Sequence, residues 1–126
     1  MSAFTPAALA LVRIMAEVPR GPKRDGVFGL WLAVRIAEDL VLRPTPPERA
    51  VKRRAAALEQ RLSSLTLPSQ LRRALSAAVA ELREPRPDKA PLVLQQLVAP
   101  AREAIGHDAA EAVAKAARAA KASLNA

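Results

Sequence analysis

The side chains of this chain that could do chemistry are few and scattered. His107, its one histidine, stands between Gly106 and Asp108 at a helix junction. A lone imidazole builds neither a multi-histidine metal site nor a nucleophile–base pair without partners, so it reads as an ordinary surface or capping residue. Cysteine is absent, which removes thiolate metal sites, thiol nucleophiles and disulfides. Glycines 21, 26, 29 and 106 match neither G-x-x-x-x-G-K-[ST] nor G-x-G-x-x-G and are too dispersed to cradle a phosphate. Arg35, Glu38 and Asp39 lie three and four residues apart, so their heads share one helix face. There they are an acid and base, a phosphate clamp, or more simply the polar stripe where an apolar helix reaches solvent. No second helix repeats the carboxylate spacing, so a di-metal bundle site is not expected. These observations point to a non-enzymatic protein without cofactor or metal.

The charge is more informative. The formal net charge is +8, and arginine outnumbers lysine fifteen to five. Residues 20–25 contribute Arg20, Lys23 and Arg24 against Asp25. Residues 43–73 contribute Arg43, Arg49, Lys52, Arg53, Arg54, Arg61, Arg72 and Arg73 against Glu48 and Glu59. The rest of the chain is balanced, so the whole excess belongs to one loop and one stretch of some thirty residues. Arg49, Arg53, Arg54, Arg61, Arg72 and Arg73 are expected to point into water as a ridge, with Arg54 and Arg61 aligned seven residues apart. Guanidinium forks match phosphates bidentately; the plainer reading of such a ridge is a solvated, solubilising face. Only Phe4, Phe28 and Trp31 are aromatic, and no surface aromatic is expected to stack on single strands.

The elements that must carry these residues are all helices. Eleven prolines fall mostly between apolar-periodic segments and punctuate them. Thr5-Pro6 reads as an N-cap and N1 proline opening a first helix to about Val18. Asp25 reads as the cap of a second, to about Leu42, apolar nearly all round and so the buried centre; Trp31 within it is expected to be shielded. The segment Arg43–Glu48, rich in proline, separates it from a third helix in which Val51, Ala55, Leu58, Leu62 and Leu65 repeat at 4, 3, 4 and 3, the seam of helix-on-helix packing. The turn Thr66-Leu67-Pro68 then makes an antiparallel hairpin with a fourth helix bearing Leu71, Leu75, Ala78, Val79 and Leu82. After Glu84–Lys89 a fifth helix runs from about Ala90, kinked at Pro100 and stopped at Gly106. Asp108 caps a last, alanine-rich helix to about Leu124 whose apolar side is thin, so residues 109–126 are expected to dock loosely. Lys115, Arg118 and Lys121 near its end follow the dipole preference and need no other explanation.

The expected architecture is therefore one all-α domain over residues 1–126, a bundle of five to six helices. The longest uncharged run of the central helix, Gly26 to Val34, is far short of the roughly 20 residues that span a bilayer. No secretory leader is read at the start, and the expected location is the cytoplasm. The leading functional expectation is an interaction or structural module working through a protein partner or a homo-oligomer. The alternative is a small basic protein that binds DNA or RNA backbone through Arg20, Lys23, Arg24, Arg49, Lys52, Arg53, Arg54, Arg61, Arg72 and Arg73.

Overall fold

The computed structural model describes residues 2–43, 48–84 and 86–125. Its helices are α1 (Thr5–Glu17), α2 (Pro22–Leu42), α3 (Glu48–Ser64), α4 (Ser69–Leu82), α5 (Ala90–Gln96), α6 (Val98–Ala104) and α7 (His107–Leu124), with one 3₁₀ turn at Pro87–Lys89 before α5. No strand occurs among the described residues. The linker prolines Pro44, Pro46, Pro47 and Pro85 lie outside the described residues.

The expected all-α bundle is what forms, and α2 is its axle, packing against all six other helices. Ten of its residues are buried, as its nearly unbroken apolar surface requires. The α3–α4 hairpin covers one side of α2, and α1, α5, α6 and α7 cover the rest. Val51, Ala55, Leu58 and Leu62 face inward along α3, against Leu71, Leu75, Ala78, Val79 and Leu82 of α4. Glycines set the α2–α4 distance: a Cβ on Gly26 would sit 2.7 Å from Leu71 Cδ2, and one on Gly29 2.7 Å from Leu75 Cδ1.

Four local expectations are corrected. The first helix begins one residue early, with Phe4 rather than Thr5 at the cap position; the Ser2 hydroxyl accepts from the Phe4 N–H at 3.2 Å. Asp25 and Asp108 do not cap α2 and α7 but lie in their first turns, where a carboxylate suits the helix dipole. Each helix instead starts straight after a glycine, Gly21 at φ 151° and Gly106 at φ 146°, a conformation side-chain-bearing residues rarely hold. The fifth helix is not kinked at Pro100 but broken at Leu97 into α5 and α6. The proline explains the position, since it has no N–H for the Gln96 carbonyl and its ring would collide with that carbonyl.

The last helix is the largest departure. It does not dock loosely: Ala109, Ala110, Ala112, Val113, Ala116, Ala117, Ala119 and Ala120 are all buried, and it packs on α1, α2, α5 and α6. Small side chains give little area each but let four helices approach at once, so the thin apolar stripe understated its burial. In the 3₁₀ turn before α5, Lys89 Nζ lies 3.2 Å from Glu84 Oε2 and 3.3 Å from Glu81 Oε2. Hydrogen bonds to these two carboxylates hold its pKa above the ordinary lysine value.

Candidate functional site

The α2–α3 packing leaves an open groove of about 380 Å³. Phe28, Trp31, Leu32, Arg35 and Ile36 of α2, at intervals of 3, 1, 3 and 1, form one wall; Arg54, Ala57, Leu58 and Arg61 of α3, at 3, 1 and 3, form the other. Both walls are single helix faces. Phe28 and Trp31 meet edge to face, with ring centroids 6.1 Å apart and planes at 89°. The Arg61 guanidinium carbon lies 5.1 Å from the centre of the Phe28 ring, a cation–π contact. Three guanidinium groups and no carboxylate line the groove.

The carboxylates stand behind it. Glu38, the buried charged residue of the core, accepts from Arg35 Nη1 at 2.6 Å and from the Ser2 hydroxyl at 2.6 Å. Asp39 pairs across the helix interface with Arg54. Glu38 and Asp39 thus serve different arginines rather than one shared acid–base site, and no group of three metal-ligating side chains forms among the described residues.

Arg61 and Phe28 also border a second depression of about 410 Å³, which Arg20 and Arg24 share with Met15, Leu65 and one carboxylate, Asp25. The basic loop and the basic hairpin therefore meet along one continuous track. Of the ten residues expected to contact an anion or partner, Arg20, Arg24, Arg54 and Arg61 come together there. Arg49, Arg53 and Arg73 are exposed and form no ion pair among the described residues. Lys52 pairs with Glu48 of its own helix at 2.7 Å, which draws the Glu48 pKa below the ordinary carboxylate value. Lys23 borders a different depression, with Glu17 and the exposed His107.

Arg72 is not a free surface cation. Its Nη1 donates to the Leu62 carbonyl at 2.7 Å and its Nη2 to the Leu65 carbonyl at 2.5 Å, closing the C-terminal end of α3. The Asp25 carboxylate accepts from the Thr66 N–H at 3.0 Å, so the α3–α4 turn is held from both sides. Trp31, expected to be shielded, is only partly buried because it lies at the groove, on the α2 face that α3 does not close. Sequence reasoning missed Phe28 and Trp31 as site residues, and considered Arg35 only together with Glu38 and Asp39. The signal was present as two helix faces of matching 3-and-4 spacing, each carrying arginine.

Comparison with family models, with characterised proteins and with solved structures finds no match to this chain.

Proposed function

We propose that this protein is a non-enzymatic binding module, a helical scaffold that holds a protein partner on the α2–α3 groove. The observation that carries the reading is the partly exposed Phe28–Trp31 pair set among three arginines. Aromatic and arginine side chains dominate the energetic centres of protein interfaces, because they bury large area while keeping a polar edge. No described helix is long and apolar enough to cross a membrane, and a chain without cysteine suits work in a reducing cytoplasm.

A photo-crosslinking residue at Ala57, an exposed position on the groove wall, tests this. The same partner should be captured from Ala57 but not from exposed Ala80 on α4, and Trp31→Ala should reduce capture severalfold. Equal capture from both positions would remove the groove from the account.

A second reading, nucleic-acid binding, is favoured by the exposed Arg49, Arg53 and Arg73. It requires affinity for duplex DNA to fall with salt at a log–log slope of about −0.9 per phosphate neutralised. Replacing these three arginines by alanine should then flatten the slope. Absence of any association at low salt would dismiss this reading.

A further inference from the structure

The groove also carries information about what would fill it, and this inference rests on the reading of it as a protein-binding site. Three guanidinium groups and no carboxylate line the groove; Glu38 and Asp39 pair with Arg35 and Arg54 from outside the lining, and Arg61 has no ion pair among the described residues, so the opening keeps a net positive charge that favours an anionic occupant. Arg54 and Arg35 are each tethered from behind by Asp39 and Glu38, which fixes the position of two guanidinium heads ahead of binding. The groove is open on one side, whereas free small ligands are held in sites that bury most of their surface. It therefore suits a segment of something larger. Single-stranded nucleic acid would need several open ring faces to stack on. Here Arg61 lies over the Phe28 ring, Trp31 is the one other ring, and the remaining apolar floor is aliphatic.

A bound protein segment must satisfy its own backbone in this groove. Extended strands do so by pairing with a sheet edge, and no strand exists among the described residues; extended polyproline segments dock on grooves lined by several aromatic rings, and here Trp31 is the one ring that Arg61 does not cover. A helix needs neither. Arg54 and Arg61 are seven residues apart on α3, about 10.5 Å along the axis. A helix lying alongside α3 would present carboxylates at i and i+7 to these two heads, and apolar side chains at i+3 and i+4 to Trp31 and Leu58 between them.

We propose that the α2–α3 groove takes an acidic amphipathic helix of a protein partner, its carboxylates paired with Arg54 and Arg61 and its apolar stripe seated on Trp31.

Trp31 is the only tryptophan of the chain, so its emission reports occupancy directly. The probes are three tryptophan-free 16-residue peptides with leucines at helical spacing and glutamate, glutamine or lysine at the flanking positions. The glutamate peptide should change Trp31 emission and become more helical on binding. The glutamine peptide should bind at least tenfold more weakly and the lysine peptide not detectably. Ala57→Glu, which places a carboxylate on an exposed wall position without touching the core, should weaken the glutamate peptide at least tenfold with the far-ultraviolet spectrum unchanged. Arg54→Gln with Arg61→Gln should do the same.

Equal binding of the glutamate and glutamine peptides would overturn the acidic preference while leaving a position-specific Ala57 cross-link, and hence the broader reading, intact. A response of Trp31 to oligo-dT but not to the glutamate peptide would overturn the proposal in favour of nucleic acid. If no probe moves Trp31 and Ala57 captures nothing, both the proposal and the reading beneath it fail.

Discussion

Arg72 and Arg73 are adjacent in sequence and opposite in consequence. Arg72 supplies two donors to carbonyls at the end of α3, where a helix leaves acceptors unsatisfied and its dipole favours a cation. Arg72→Ala should therefore cost about 1–3 kcal/mol in denaturant unfolding, while Arg73→Ala, on an exposed side chain, should stay within about 0.5 kcal/mol of wild type. Nothing in the sequence separates the two, because the carbonyls that claim Arg72 are ten and seven residues away across a turn. Trp31 makes the same point for the site. Its neighbours in the chain are apolar, and only the placement of α3 decides which flank of α2 stays open. Since that flank is cationic, iodide should quench Trp31 emission more strongly than caesium does, and the difference should shrink as salt screens the field. Equal quenching by the two ions at low salt would mean that the arginines do not set the potential at the groove.

The helices themselves were largely legible, because each rule used to find them acts within a few residues. Val51, Ala55, Leu58 and Leu62 are buried where the spacing placed them, while Leu65, the fifth residue of the seam, falls beyond the end of α3 and is only partly buried; Leu58→Ala and Leu62→Ala should each cost about 2–5 kcal/mol. The failures came where distant contacts decide the outcome. Area per residue made α7 look weakly held, yet its alanines are buried because four neighbouring helices converge on them. Ala116→Leu, at a position with no exposure, should destabilise by about 1–3 kcal/mol through overpacking even though it raises the apolarity of the helix. Gly29→Val should do likewise, since the space a side chain would need is filled by Leu75. A stabilised protein in either case would mean that α7 or α4 sits farther from α2 than the structure has it.

For the molecule as a whole, charge and packing divide the labour. The α3–α4 hairpin packs on α2 and, through α4, on α5 and α6, and carries seven cations against three carboxylates, whereas α1, α5, α6 and α7 form the alanine-rich side. The charge map drawn from sequence located the basic regions but not their meeting, which depends on the loop after α1 lying beside the end of α3. Phe28 and Arg61 are the residues that join them. If the proposed groove is the binding site, substitutions in its wall at Ala57 should leave the melting temperature within a few degrees of wild type while changing what is bound.

The convergence of α1, α2, α5 and α6 on α7 also sets an order in time. The hairpin closes over a short stretch of chain, while α1 and α7 are separated by nearly the full sequence, and long separations slow the closing step. On a ribosome, α3 and α4 can pair soon after they emerge, but α1 must wait for residues 107–124 before its inner face, with Ala7 and Leu11, has its full covering. Until then the side of α2 that α7 shields is exposed to other chains, so the arrival of α7 ends the interval in which this bundle is most prone to aggregate.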